Sequence, residues 1–393
     1  MTVPARPRVV VVAEAAPMRG GIATFAETIT ADPRLAAEFD VELLNTARTA
    51  TRQGGKLVFS NITHALSDAW KTFEAARRAD VVHVQLVADP GLPTIRAAAL
   101  CLAARAGTRG VVAHVHSATG NAGRPEVADY SARDRRILRA VGVSALVLTV
   151  SDAGTSTFSE ILPKTPVETV DNAVDVGSFE LARLDADVPT VLFVGVVCAR
   201  KGVPELAAAC ADLRTRGVRF NLVIIGGQGP TPDEEYARVM GALESAGLAD
   251  AAVGPEYGEQ VRVRLRDADV FVLPSYLEGQ PMAILEAMAS GLPVVATAIG
   301  AVPTMIRDGV EGRVVEPGDV PALTEALADV LASKTRRQTI GAAARKRAEE
   351  RHDLPILSAR LAAAYRSVLV RSPRPRRDAA GRSRAPKMGP SSE

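Results

Sequence analysis

Residues 270–291 read VFVLPSYLEGQPMAILEAMASG, and the order of residue types in this stretch decides how the chain folds. Val270–Leu273 is apolar at every position, as a strand covered on both faces of a parallel sheet must be. Pro281 suits a first helical turn and Gly291 the residue just past a helix end, so the spacing predicts a helix over Pro281–Ser290. A strand, a glycine-containing loop and a helix thus follow one another.

The same grammar runs through both halves of the chain. In the first half the predicted strands are Arg8–Ala13, Val41–Leu44, Val81–Leu86, Val111–His114, Ala145–Val150 and Val167–Val170. In the second they are Thr190–Val194, Asn221–Ile225, Val270–Leu273, Val294–Thr297 and Arg313–Val315. Apolar strands alternating with helices imply an α/β protein of two doubly wound parallel-sheet domains. The first is expected over 1–180 and the second over 189–351, joined by the charged linker 181–188 (LARLDADV). An amphipathic closing helix over 352–370 should return to the first domain, and 371–393, rich in Arg, Pro and Ser, reads as a disordered basic tail.

Composition narrows the function. The 393 residues are 47% hydrophobic and 23% charged, enough for sizeable cores. Lys+Arg number 47 against 45 Asp+Glu, a net +2 that lacks the basic footprint of a nucleic-acid-binding protein. The first 180 residues carry 19 basic and 19 acidic side chains, so no polybasic patch attracts a membrane there. Cys101, Cys198 and Cys210 share no CxxC spacing and call for no oxidising compartment. The uncharged run Ala287–Ile306 reaches the length of about 20 residues that a membrane span needs, but Gly291, Pro293, Gly300 and Pro303 break it. No signal-peptide pattern opens the sequence. The expectation is a cytoplasmic protein with at most peripheral contact at the inner face of a membrane.

In open sheets of this kind ligands bind beyond the carboxyl ends of the strands. Glu286 is the only charged residue of the helix after Val270–Leu273, a costly position for a carboxylate unless hydroxyls or a structural cation meet it. Glu278 stands at the helix entry, where Gly279 lets backbone approach and free amides can hold an anion such as a diphosphate. Eight helical residues rise about 12 Å, more than the roughly 5–9.5 Å between the carboxyls of a glycosidase pair, so the two acids have different tasks. Arg200-Lys201-Gly202, after strand Thr190–Val194 and the turn at Gly195, offers positive charge to a departing diphosphate.

Glu278 and Glu286, within EGQPMAILEAMASGLPVVAT, form a Glu-x7-Glu motif that resembles the retaining nucleotide-sugar glycosyltransferases of family four, also called group 1. The resemblance spans nearly the whole chain and implies the GT-B fold of two facing Rossmann-like domains with a closing helix. It also implies that Glu286 holds the donor ribose, that Glu278 touches hydroxyls of the transferred sugar, and that the stretch Gly279, Gln280, Pro281, Met282 faces sugar and phosphate. Pro281 contributes no amide hydrogen to that stretch. Lys201 matches the family's diphosphate-binding Lys, whereas the Arg that usually follows the glycine of Gly195 is here Val196, which leaves Arg200 as the candidate second cation.

By the same resemblance Gly226-Gly227 is a turn near the nucleotide, and Gly20-Gly21 after the first strand faces the donor phosphates from the other domain. His116 falls at the active-site His that contacts the donor sugar, with His114 structural and His83 given no chemistry. No cofactor is expected, since the nucleoside diphosphate sugar, UDP- or GDP-linked, is itself the substrate. No His/Cys/Asp cluster has metal spacing, so no metal site is expected either. The implied activity is metal-independent hexosyl transfer with retention to a glycan, lipid-linked or small-molecule hydroxyl, in polysaccharide, glycolipid or natural-product synthesis. A sugar-nucleotide epimerase on the same fold and a nucleotide-binding protein impaired by Val196 are the alternatives.

Overall fold

The computed structural model of the chain describes residues 5–16, 20–47, 59–117, 120, 123–229 and 231–371, and the side chains of 59–62 are not considered. Arg19 of the first glycine loop and the predicted tail beyond Arg371 lie outside the described residues.

The first sheet contains β1 (Arg8–Ala13), β2 (Asp40–Asn45), β3 (Val81–Leu86), β4 (Val111–Val115), β5 (Leu146–Thr149) and β6 (Val167–Thr169). The second contains β7 (Thr190–Val194), β8 (Asn221–Ile225), β9 (Ala252–Gly254), β10 (Val270–Leu273), β11 (Val294–Thr297) and β12 (Gly312–Val315). All pairings within them are parallel. The apolar runs explain this: β3, β5, β10 and β11 are buried at every residue, between helices on both faces. One strand was not anticipated. β9 has three residues and an edge position, and its Ala-Val-Gly sequence carries no strand signal.

Strand order locates the site. The first sheet runs β2-β1-β3-β4-β5-β6 and the second β12-β11-β10-β7-β8-β9. Renumbered within its domain, the second has the order of dinucleotide-binding sheets, and the first has the flavodoxin-like order. The order reverses between β1 and β3 in one sheet and between β7 and β10 in the other, and crevices open beyond those strand ends. The loops after β7 and β10 hold Lys201, Glu278 and Gly279.

One apolar cluster, including Phe193, Phe271, Leu285 and Met288, forms the core around the second sheet. The first sheet has a cluster on each face, one around Tyr130 and Phe158, the other around Phe25 and Ile29. Leu357, Leu361, Tyr365 and Val368 of the helix Leu354–Arg371 belong to this last cluster, so that helix completes the first domain. Each such fully buried side chain contributes about 1.5–3 kcal/mol. The two crossings of the chain between domains lie side by side: Val174 N donates to His352 O at 3.0 Å and Leu354 N to Val174 O at 2.9 Å.

The three cysteines are buried and free, and burial pushes the Cys101 and Cys210 thiols up to about 12. Among the described residues no helix is long and apolar enough to cross a membrane.

Candidate active site

The helix after β10 begins at Met282 rather than Pro281, which caps it in extended backbone, and ends at Ala289. Its apolar residues Ile284, Leu285, Ala287, Met288 and Ala289 are buried. Glu286 is half-buried; its carbonyl accepts from Ser290, but its carboxylate makes no hydrogen bond or ion pair among the described residues. Burial pushes its carboxyl up to about 7, and the charge of Arg262 only partly opposes this. A poorly hydrated carboxylate without a partner is a ready acceptor for ligand hydroxyls.

Glu278 lies in the preceding loop, and its Oε1 accepts from Lys201 Nζ in an ion pair whose side chains are 14% and 16% exposed. Lys201 closes a short helical turn, Ala199–Lys201, that ends in Gly202 at φ +71°. A Cβ on Gly202 would lie 1.9 Å from Pro274 O, so glycine lets the β7 and β10 loops touch. These loops therefore bring a cation and a carboxylate together at the second sheet's switch point.

Arg200 takes a different direction. Its side chain is exposed and donates to Leu277 O at 2.9 Å, bracing the outside of the Glu278 loop. Val196 lies against Gly229, where an added Cβ would come within 3.1 Å of its methyl. Gly227 faces the Pro255 ring, and the neighbouring Gly226 permits contact with Gly195 O. Gln280, buried, points between the domains: its amide donates to Asp171 Oδ1 at 3.2 Å and accepts from the Asn172 amide, while Asn172 Nδ2 donates to Gln280 O at 3.1 Å. Its side chain thus ties the domains together instead of lining the cleft.

The first domain supplies the opposite wall. Gly21 begins a helix, and a Cβ there would lie 3.5 Å from Met282 Cγ. Gly20 has φ +150°, and among the described residues nothing lies within 4 Å of a Cβ added there. A Cβ on Gly279 would sit 3.5 Å from His116 O and 3.3 Å from Ser117 O, so the loop carrying His116 meets the Glu278 loop directly. His116 follows β4, half-buried, and its Nε2 is 2.7 Å from Gln85 Oε1. Burial holds its imidazole neutral, with a pKa near 3. His114 and His83 are fully buried beneath it.

Three site residues escaped the sequence reading. Gly123, at φ +72°, would drive a Cβ to 2.2 Å from Glu278 O, and Gly300, at φ +49°, would do the same to Glu278 O and Gly279 O. Gln85 is the partner of His116. The first two act across contacts remote in sequence, and a lone glycine is the only sequence trace of each.

Facing doubly wound sheets with their switch points turned to one cleft define the GT-B architecture. Sucrose-phosphate synthase from Thermosynechococcus elongatus superposes with a TM-score of 0.75 at 20% identity, over 93% of this chain and 100% of that one. HepE from Anabaena, solved with UDP-glucose, gives 0.68 at 17% identity over 92% and 99%.

Sequence narrows the class to a family. Residues 179–347 match the family profile of glycosyl transferases group 1. A GDP-mannose-dependent α-(1-6)-phosphatidylinositol monomannoside mannosyltransferase of Mycolicibacterium smegmatis is 32% identical over 283 residues, 66% of this chain and 71% of that protein. A D-inositol 3-phosphate glycosyltransferase of Salinispora tropica is 31% identical over 205 residues, 47% of this chain and 42% of that protein. The chain belongs to the glycosyl transferases of group 1.

Proposed function

We propose that the chain is a retaining glycosyltransferase of family four that moves a sugar from a UDP- or GDP-sugar to an acceptor hydroxyl without a metal ion. The observation that carries this reading is the Lys201–Glu278 ion pair at the second sheet's switch point, with the carboxylate of Glu286 on the helix that follows and the loop of His116 against Gly279. A relative named for GDP-mannose, and a similar fold solved with UDP-glucose, support the donor class.

In this reading ionised Glu286 accepts the ribose hydroxyls and Glu278 a hydroxyl of the sugar. Lys201 and the amides after Glu278 meet the diphosphate charge; Arg200 holds the loop. The acceptor oxygen attacks C1 from the face the diphosphate leaves. The C1–O bond to acceptor forms as the C1–O bond to phosphate breaks, and the acceptor proton passes to the departing diphosphate oxygen. Bringing the walls together excludes water. Cell-envelope polysaccharide, glycolipid and natural-product acceptors are the classes to screen, from a cytoplasmic enzyme with at most peripheral membrane contact.

Proton NMR of reactions with α-linked UDP- and GDP-sugars and an acceptor panel, run with and without chelator, tests this. An α-linked product formed with chelator present is expected. A β-linked product would refute retention; an isomerised donor with no acceptor consumed would identify the epimerase, and loss of turnover with chelator would refute metal independence.

A further inference from the structure

Beneath His116 runs a line of buried polar groups with no part in the transfer described above. Tyr365, on the closing helix, is fully buried, and its hydroxyl lies 2.8 Å from His83 Nδ1. His83 Nε2 lies 3.1 Å from Gln85 Nε2 and 3.3 Å from His114 Nδ1. Gln85 Oε1 lies 2.7 Å from His116 Nε2. His83 and Gln85 are two residues apart on β3, so both face one side of the sheet, and His116 reaches the same side from the end of β4.

The groups constrain one another. An amide nitrogen only donates, so Gln85 Nε2–H gives its hydrogen bond to the lone pair of His83 Nε2. His83 is neutral, its pKa pushed down to about 3 by burial, so its one proton is on Nδ1 and goes to the Tyr365 oxygen. The Gln85 oxygen only accepts, so neutral His116 carries its proton on Nε2.

We propose that Gln85 is a positioning residue that fixes His116 in the Nε2–H tautomer, with the Nδ1 lone pair left to accept a hydrogen bond from a hydroxyl of the donor sugar. The relay anchors this tautomer to the closing helix through His83 and Tyr365. The sugar contact rests on the function proposed above; the tautomer does not.

The experiment separates the two. The full chain is labelled with 15N-histidine, and its five histidines are assigned by single-site variants. Long-range proton–nitrogen correlation without ligand should show a protonated Nε2 and an unprotonated Nδ1 for His116. In Gln85→Met, which keeps the volume and loses the amide, the His116 nitrogen shifts should move toward a mixture of tautomers. Gln85→Glu, which keeps an acceptor oxygen, should retain the native pattern. A wild-type His116 protonated on Nδ1, or one unchanged in Gln85→Met, overturns the proposal whatever the enzyme's substrate. With an active donor, Gln85→Met should lose about tenfold in kcat/KM while Kd for the free nucleoside diphosphate is unchanged. Loss confined to nucleotide binding would refute the contact with the sugar.

Discussion

Gly300→Ala tests how the Glu278 loop is held. Gly300 follows β11, and the adjacent Ala301 N donates to Gly279 O at 2.8 Å. At φ +49° an alanine costs about 1–2 kcal/mol in backbone strain. Its Cβ would also stand 2.2 Å from both Glu278 O and Gly279 O. Carbon and oxygen normally approach to about 3.3 Å, so the loop must retreat by about 1 Å. A misplacement of about 1 Å at a reacting centre costs on the order of 100-fold in rate. Steady-state assay of nucleoside diphosphate release should therefore show kcat/KM down by about two orders of magnitude, with a lower Tm. Gly241→Ala is the control: Gly241 lies inside the helix Asp233–Ser245 with nothing within 4 Å of its added Cβ, so Ala there should leave activity unchanged and raise stability by up to about 1 kcal/mol. A Gly300→Ala enzyme with native kcat/KM would refute the claim that the loop is held in place by this contact.

Other perturbations follow the same geometry. Lys201→Ala leaves Glu278 without its cation and, on the proposed function, removes the charge that would meet the diphosphate; the single-turnover rate should fall about 10²- to 10³-fold. Folded Glu286 keeps its proton to about pH 7, whereas an unperturbed carboxyl loses it near 4.5. Folding therefore takes up a proton between those values, and stability falls as pH rises across that window. Thermal melts should accordingly show Glu286→Gln gaining on the wild type between pH 4.5 and 7. Conversely, nucleotide affinity, which uses the ionised form, should weaken about tenfold per pH unit below 7, as seen in titrations at several pH values. Tyr365→Phe removes one buried hydrogen bond and should cost about 1 kcal/mol in denaturant unfolding.

The strand at 270–273 and its helix were legible in the sequence, because periodicity and glycine turns are local signals; Glu278 and Glu286 stood out beside them by charge, whereas His116 was singled out by the family resemblance. What was not legible depends on contacts remote along the chain. Gln280 belongs to the stretch that the family resemblance assigns to sugar and phosphate, yet its side chain holds Asp171 and Asn172 of the other domain. Arg200 sits beside Lys201 but turns outward to Leu277. Gly123, Gly300 and Gln85 owe their roles to neighbours that only the packed domains bring near. The short edge strand β9 lacked the apolar run that marks its partners.

The most direct measurement is calorimetric titration of UDP, GDP, ADP and TDP, without added metal, into the wild-type protein and into Glu286→Ala. Tight binding of one nucleotide, lost in the folded variant, is the predicted result. Binding of none of them by folded wild-type protein, or equal binding by Glu286→Ala, would contradict the account of this cleft as a nucleotide-sugar site.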